Sequence, residues 1–340
     1  MEKNLYIDAS HPDETRVVLK SDSFIEEYEY EDKNKLNFKN NIYLGTVSRV
    51  EPSLQAAFIN FGRVRHGFLA FNDIQSDYYQ IPTEDKEKLQ EAEEKIREEL
   101  KNIKSNDNIG NEKSSENEKS ENEATHENNL NQKISDDRNN KNYREKLKNT
   151  YGLKKYKIQE VIKPGQVILI QVIKEERGQK GAALTTFISL AGKYMVLMPN
   201  TAKGGGISRK IFNSSDRNKI RSILNEIQIP KSMGVIVRTA GANKTRNEIE
   251  KDFQNTLNTW GQIKDKAVES SAPSLIYEEG DIIKRALRDI YDNETKNVYV
   301  DGNEGYQKAK IFMKELVPKS VKFIKKYRGK IPLFHDAGIE

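Results

Sequence analysis

Residues 41–71 constrain the fold of this chain more than any other stretch, because apolar residues alternate there with polar ones in short runs. Gly45, the tripeptide Glu51-Pro52-Ser53 and Gly62 interrupt the runs, and each is a residue type that favours turns. A period of two between turn-forming residues is typical of half-buried β-strands. The stretch therefore predicts several short strands joined by tight turns.

One of these strands carries an aromatic side chain on an unexpected face. In the run AAFINF, Ala57, Ile59 and Phe61 share one face, so Phe58 and Asn60 share the other. Cations and a further aromatic follow within a few positions, namely Arg63, Arg65, His66 and Phe68. A surface that stacks bases and binds phosphates needs such residues. A strand buried on both faces, with Phe58 in the core, explains the pattern equally well.

The composition divides the chain into a basic part and an acidic segment. The 340 residues carry a net charge of +5, but residues 83–150 contain 18 acidic and 14 basic residues, so the remainder carries +9. A basic folded part favours a polyanionic partner. There is no cysteine, which excludes disulfides and cysteine-based zinc or redox sites from these residues.

Residues 83–150 are predicted to be an insertion. Apolar residues at helical spacing between Leu89 and Ile103 predict one charged helix. Residues 106–142 have almost no large apolar side chains, so they cannot offset the entropy of ordering and are predicted to be disordered. The segment is either a tolerated surface insertion or a charged tether for a partner.

Strand patterns resume after the insertion and match those before it in length and alternation. Val167–Val172 is followed by a cationic turn at 174–181 and by two further strands within residues 183–198. This similarity predicts one β-barrel that the insertion interrupts. A three-stranded meander is predicted at 5–28, ahead of the barrel.

The remaining residues alternate helices and strands. Ser215 is the predicted N-cap of a helix that ends at Glu226. The further predicted elements are a strand at 234–237, a helix at 246–268, a helix at 280–291, a strand at 298–300, a helix at 304–316 and a strand at 321–324.

Two glycine-containing loops, 204–210 and 238–244, contain the residue types that bind phosphate. Glycine leaves backbone N–H groups free to approach an anion, and flanking Arg, Ser or Thr adds charge-assisted hydrogen bonds. Neither loop has the Gly-Lys-Ser/Thr of the nucleotide P-loop. Each alone also fits an ordinary turn, so the prediction depends on both loops lying in one module.

The residues themselves give no convincing cutting site. The four histidines are scattered, without the spacing of metal ligands. Asp8 and Asp301 end two predicted strands, and paired carboxylates are what two-metal phosphodiester chemistry requires. Because acidic residues at strand ends are usually turn or capping residues, we interpret this pair as structural.

Several motifs together make the chain resemble the N-terminal part of the bacterial ribonuclease E/G endoribonucleases. The matching residues are NIYLGTVSRVEPSLQAAFINFG, RHGFL, IKEERGQKGAALTTFISLAGKYMVLMPN, GGISRK, GVIVRTAG and GKIPLFHDAGIE. Apart from the insertion, the resemblance covers nearly the whole chain. The run GAALTTFISLAGKY is more similar to the ribonuclease E branch than to the ribonuclease G branch.

The resemblance implies an α+β multidomain fold. A ribonuclease-H-like subdomain would comprise residues 1–36 and 284–340, split by two inserted units. These are an OB-fold β-barrel of the S-one RNA-binding type at 37–186, which contains the insertion at about 83–150, and an α/β 5′-sensor subdomain at 187–283. The DNase-I-like catalytic subdomain of the family would follow residue 340.

The resemblance also implies two groups of site residues. The RNA contacts of the barrel would be Phe58, Phe68 and Lys180, and the cations that follow Phe58 in the sequence add Arg65 to them. The sensor pocket for a 5′-monophosphate would be formed by Gly192, Val196, Arg209, Arg238 and Thr239, with Arg238 and Thr239 on the phosphate and Gly192 and Val196 along the first nucleotide.

The family's Mg²⁺ is held by two aspartates and its Zn²⁺ by a cysteine motif, and both ligand sets are expected beyond Glu340. No catalytic or metal-binding residue is therefore assigned within these residues, which alone are expected to be inactive. The implied function is endoribonucleolytic processing and decay of mRNA and rRNA. An alternative is a non-catalytic or truncated RNA-binding protein, associated with ribosomes.

The implied partner is single-stranded RNA with a 5′-monophosphate, without DNA specificity. Family members form homotetramers, and RNA-decay or ribosome-associated partners are expected. Residues 1–10 lack the layout of a secretory signal, so a cytoplasmic location is expected, with peripheral inner-membrane association in full-length relatives.

Overall fold

The computed structural model describes residues 2–22, 24–32, 34, 37–87, 91, 156–201, 206–230, 232–292 and 294–340. The described strands are β1 (Lys3–Asp8), β2 (Glu14–Ser21), β3 (Phe24–Asp32), β4 (Ile42–Glu51), β5 (Ala56–Asn60), β6 (Gly67–Ala70), β7 (Val167–Lys174), β8 (Ala183–Thr185), β9 (Leu190–Ala191), β10 (Met195–Met198), β11 (Gly206–Ile207), β12 (Gly234–Val237), β13 (Ser274–Tyr277), β14 (Thr295–Asp301) and β15 (Ile324–Lys326).

The α-helices whose bounds lie within these residues are α1 (Ile158–Val161), α2 (Ser214–Glu226), α3 (Arg246–Glu269), α4 (Ile282–Asp289), α5 (Asn303–Leu316) and α6 (Leu333–Asp336). Of the predicted insertion, residues 83–87 and 91 are described and helical. The rest of that predicted helix, and all of the segment predicted to be disordered, lie outside the described residues. The chain is thus an α+β protein, as predicted.

A five-stranded sheet joins the two ends of the described chain. Its order is β15-β14-β1-β2-β3, with β1, β2 and β3 antiparallel and with β14 and β15 running parallel to β1. Helices α4 and α5 cover one face and pack against Leu5 and Ile7. Helix α6 covers the other face through Leu333 and Phe334, which contact Val18. The predicted meander is confirmed.

Five strands close into a barrel in the order β4-β5-β6-β8-β7, and the pairing of β4 with β7 completes the ring. Strands β6 and β8 are parallel, and the other neighbours are antiparallel. This closed barrel is compatible with an OB-fold. Because β6 precedes the insertion and β7 follows it, the prediction of one interrupted barrel is confirmed.

A third, four-stranded sheet has the order β11-β12-β10-β9, in which only β11 and β12 are parallel. Helices α2 and α3 pack on it around Met195, Leu197 and Val235. Strand β13 follows α3 and pairs with β4, which extends the barrel sheet by one strand. The described part of residues 187–283 is therefore anchored to the barrel through a main-chain ladder.

Two local predictions are wrong. The cap of α2 is Asn213, whose Oδ1 accepts a hydrogen bond from the backbone N–H of Ser215 at 3.0 Å, so Ser215 lies inside the helix. Residues 321–323 belong to a 3₁₀ helix, Pro318–Phe323, and only Ile324–Lys326 pairs with β14.

Asp252 on α3 fixes the loop between β9 and β10. Its carboxylate accepts hydrogen bonds from the backbone N–H groups of Lys193 (3.1 Å), Tyr194 (2.8 Å) and Met195 (3.1 Å). This approach requires glycine at position 192, where a Cβ would lie 2.6 Å from Oδ2 of Asp252. Burial raises the pKa of Asp252, and the three N–H donors oppose that change.

The residues that lead into β6 and β8 approach each other closely at Gly181. A Cβ at this position would lie 2.2 Å from the carbonyl oxygen of His66, which is a main-chain atom that cannot rotate away. Next to it, the N–H of Phe68 donates to the carbonyl of Ala182 at 2.7 Å. Glycine at 181 is therefore a requirement of barrel closure.

We expect Gly181→Ala to destabilise the protein by about 1–3 kcal/mol, because the methyl group forces the two strands apart. Gly261→Ala is the control: a Cβ at Gly261, inside α3, meets no atom within 4 Å, and alanine there should stabilise by about 0.5–1 kcal/mol. Urea unfolding of both variants measures the difference. Equal effects would contradict the close approach.

Asp252→Asn should cost about 1–3 kcal/mol of unfolding free energy, because an amide offers one oxygen where the carboxylate uses both. Asp265→Asn, at an exposed position of the same helix, should leave the unfolding free energy unchanged. Thermal and urea unfolding provide the measurement, and a loss of stability in Asp265→Asn alone would refute the assignment.

Candidate nucleic-acid interface

Phe58 and Phe68 form an aromatic pair on the outside of the barrel. They are register partners on β5 and β6, with ring centroids 6.0 Å apart and an interplanar angle of 76°. Both are half-buried, whereas Ala57 and Ile59 beside Phe58 are 0% exposed. The interpretation that places Phe58 in the core is therefore wrong, and the ring lies on the second face of its strand.

Arg49 is part of this surface, and the sequence analysis missed it. It is the register partner of Phe58 on β4, and its guanidinium carbon lies 4.4 Å from the centroid of the Phe58 ring. This is the distance of a cation–π contact. The signal was available in principle, because a hairpin across Pro52–Leu54 brings position 49 opposite position 58.

Arg65 and Lys180 lie in neighbouring turns at one end of β6 and β8. Arg65 Nη1 donates a hydrogen bond to the carbonyl of Gly178, in the turn that Arg177 and Lys180 close through backbone hydrogen bonds of 3.2 and 3.0 Å. The Lys180 side chain is exposed. The structure thus brings the predicted cations of the barrel into adjoining turns and leaves Lys180 open to solvent.

The two predicted phosphate loops lie at one edge of the third sheet. Strands β11 and β12 are parallel, so Ser208 and Arg209 leave β11 at the edge where Arg238 and Thr239 leave β12. The N–H of Ser208 donates to the carbonyl of Val237 at 2.8 Å. Residues 202–205 of the first loop lie outside the described part of the chain.

Arg238 lies at the centre of this edge. Its backbone N–H donates to the carbonyl of Tyr194 at 2.8 Å, its Nη1 donates to the carbonyl of Gly192 at 3.0 Å, and the same Nη1 lies 2.5 Å from Oδ1 of Asp289. The predicted pair Gly192 and Arg238 is therefore in direct contact. Asp289 was not foreseen, because it belongs to α4, about fifty positions further along the chain.

Val196, Thr239 and Arg209 are the other predicted residues of the sensor pocket. Val196 is half-buried and pairs across the sheet with Ile236, which is 37% exposed. Residues two apart on a strand share a face, so Arg238 continues the open face that begins at Ile236. Thr239 is exposed at the start of a 3₁₀ turn, and Arg209 is exposed at the end of the neighbouring strand.

Lys193, which follows Gly192, connects the loop between β9 and β10 to the end of helix α4. The lysine is 4% exposed, and its Nζ donates to the carbonyls of Leu287 (2.9 Å), Arg288 (3.3 Å) and Tyr291 (2.8 Å). A cation at a helix C-terminus is favourable because the last carbonyls lack helical partners. Burial lowers the pKa of Lys193 to about 8.

Asp8 and Asp301 are register partners on β1 and β14, and each accepts hydrogen bonds from nearby residues. Asp8 accepts hydrogen bonds from Ser10 and pairs with Arg16 at 2.8 Å, while Asp301 accepts from the N–H of Gly302. Burial opposes ionisation of Asp8, yet Ser10 and Arg16 outweigh it and lower its pKa. The interpretation of both residues as structural agrees with these contacts.

Magnesium and zinc do not fit the residues that the structure describes. Within those ranges, no three His, Cys, Asp or Glu side chains come together as a metal site would need, and the sequence has no cysteine. No helix in the described ranges has both the length and the apolar character that a membrane span needs.

Comparison with known proteins gives the family. The family model for the ribonuclease E/G family matches residues 189–340. Ribonuclease E of Haemophilus influenzae is 32% identical over 338 residues, covering 99% of this chain and 29% of the relative. Ribonuclease E of Escherichia coli is 33% identical over 339 residues, covering 99% and 26%.

Ribonuclease G of Escherichia coli is 26% identical over 329 residues, covering 97% of this chain and 54% of the relative. The chain therefore spans less than a third of the length of the two ribonuclease E proteins and about half that of ribonuclease G. By these similarities the chain belongs to the ribonuclease E/G family, and it is closer to ribonuclease E than to ribonuclease G.

Proposed function

We propose that this chain is the RNA-binding and 5′-end-sensing part of an endoribonuclease that processes and degrades RNA. The observation that carries the proposal is the direct contact between Arg238 and Gly192, at an edge where a second cationic loop also ends. A 5′-monophosphate differs from a 5′-hydroxyl by its charge and its acceptor oxygens. Arginine recognises both through charge-assisted hydrogen bonds.

In this proposal the barrel binds the body of the RNA. Phe58 and Phe68 present half-buried rings on which bases stack, and Arg65, Lys180 and Arg49 supply positive charge for the phosphates. Stacking accepts any base, which suits an enzyme of general RNA decay. The name ribonuclease E, carried by relatives that align with 99% of the chain, supports RNA as the substrate class.

The five-stranded sheet supports the ribonuclease-H-like assignment of residues 1–36 and 284–340. Its order β3-β2-β1-β14-β15, with three antiparallel strands followed by two parallel ones, matches that fold. Asp8 lies at the end of the central strand, but Arg16 neutralises it, which supports a scaffolding role. Hydrolysis by magnesium-activated water would use aspartates outside residues 1–340.

The sensor assignment predicts that Arg238→Ala removes the preference for 5′-monophosphate over 5′-hydroxyl RNA. Losing a charge-assisted hydrogen bond should reduce the binding free energy of the 5′-monophosphate RNA by about 1.5–3 kcal/mol and leave that of the 5′-hydroxyl RNA unchanged. Fluorescence anisotropy with matched RNAs measures the two affinities. Arg246→Ala removes an exposed arginine from the start of α3 and should leave the preference intact. An unchanged preference in Arg238→Ala would place the phosphate elsewhere.

The barrel assignment predicts that Phe58→Ala weakens the binding of 5′-monophosphate and 5′-hydroxyl RNA equally, by about 1–3 kcal/mol, because a ring on which a base stacks is lost. Phe24→Ala is the matched control, since Phe24 is 53% exposed on the edge strand β3 of another sheet. Circular dichroism establishes that both variants fold. Wild-type affinity in a folded Phe58→Ala protein would exclude the ring from the RNA-binding surface.

A further inference from the structure

Asp289 and the carbonyl of Gly192 both contact one nitrogen of Arg238. Nη1 donates to the Gly192 carbonyl at 3.0 Å and lies 2.5 Å from Oδ1 of Asp289. The first contact is a hydrogen bond and the second is a close ion pair, and both involve Nη1. Among the described residues, no acceptor takes a hydrogen bond from Nε or Nη2 of Arg238.

The Nε–Nη2 edge of the Arg238 guanidinium group, which these contacts do not use, is suited to binding phosphate. Nε and Nη2 point in the same direction from a planar group and can bind two oxygens of one anion together. The Arg238 side chain is 29% exposed, so part of it reaches solvent. The contacts to Nη1 restrict the orientation of the Arg238 guanidinium group and therefore of its Nε–Nη2 edge.

Asp289 is itself held rigidly. Arg288, whose side chain is 9% exposed, donates to Asp289 from Nε at 3.1 and 3.2 Å and from Nη2 at 2.7 Å. The other side of Arg288 pairs with Glu279 at 2.9 Å. Burial opposes ionisation of Asp289, but the two arginines outweigh it and lower its pKa.

The two groups that hold Nη1 are also fixed relative to each other. Lys193, next to Gly192, donates three hydrogen bonds to carbonyls around Asp289 at the end of α4. Asp289 does not cancel the attraction for an anion, because Glu279, Arg288, Asp289, Arg238 and Lys193 together carry a net charge of +1 when all are ionised.

We propose that Asp289 is a positioning residue for Arg238: with the Gly192 carbonyl it holds Nη1 and thereby presents the Nε–Nη2 edge to the 5′-phosphate of the RNA. This inference rests on the proposed function and adds to it the carboxylate that orients the sensor arginine. Preorganisation of this kind raises affinity because the arginine loses less conformational freedom on binding.

The experiment compares two RNAs of one sequence, labelled at the 3′ end, with a 5′-monophosphate or a 5′-hydroxyl. The readout is the ratio of the two dissociation constants, measured by fluorescence anisotropy with the full 340-residue chain. We expect Asp289→Ala to lower the preference about three- to tenfold while affinity for 5′-hydroxyl RNA stays unchanged. In an Arg238→Ala background, Asp289→Ala should have no further effect.

Two conservative variants separate positioning from charge. Asp289→Asn keeps an oxygen that can accept from Arg238 and should retain most of the preference. Asp289→Glu keeps the charge but displaces the oxygen, so the preference should fall. If Asp289 instead competed with the phosphate through its charge, asparagine would raise the preference and glutamate would leave it unchanged; either result overturns the proposal.

Asp292→Ala is the matched control, because it removes a neighbouring carboxylate that pairs with Lys3 at 2.9 Å rather than with Arg238. If Arg238→Ala abolishes the preference and Asp289→Ala does not lower it, the positioning role is refuted and the sensor stands. If Arg238→Ala leaves the preference intact, the sensor itself is refuted, and the role of Asp289 with it.

Discussion

Strand β4 contributes side chains to two hydrophobic cores, and the arrangement of the two candidate sites depends on it. Successive side chains of a strand point to opposite faces, so Tyr43 and Val47 enter the barrel core while Ile42 enters the core beneath the third sheet. One edge of β4 pairs with β7, and the other is divided between β13 at its start and β5 at its end. A shift of one residue in this strand would exchange the two cores.

Two loops of the third sheet both contact the C-terminal end of α4 through charged groups. Its last carbonyls accept from Lys193 and its last side chain pairs with Arg238, so the loop after β9 and the loop after β12 both end on one helix terminus. Asp252 also holds the first of these loops, through the backbone N–H groups of Lys193, Tyr194 and Met195. The candidate phosphate site is thus built by three elements distant in sequence.

Local pattern predicted the strands well, because alternation and turn residues are properties of neighbouring positions. It placed Phe58 on the second face of β5 but could not decide whether another element covers that face. It missed Asp252 and Asp289, since a carboxylate on a helix has the same local pattern whether it meets solvent or a loop. Resemblance supplied Gly192 and Arg238 as a pair, and the structure brings them into contact.

The positive charge is unevenly distributed among the residues that form the three sheets. Residues 303–330 contain nine basic and two acidic residues, whereas residues 1–36 contain five basic and ten acidic ones. Both segments contribute to the five-stranded sheet, where β3 and β15 form opposite edges. Residues 1–36 and 284–340 together carry no net charge, so the excess of +9 outside residues 83–150 comes from residues 37–82 and 151–283, which contain the barrel and the third sheet.

The pairing of Lys3 with Thr295 has a consequence for the time course of folding. A ribosome adds about 5–20 residues per second, so β1 waits on the order of 15–60 s for β14 to be synthesised. During that time the first three strands have no parallel partner, and the face that carries Leu5 and Ile7 lacks α4 and α5. The barrel strands and those of the third sheet are synthesised earlier, so the five-stranded sheet is the last of the three described sheets to be completed.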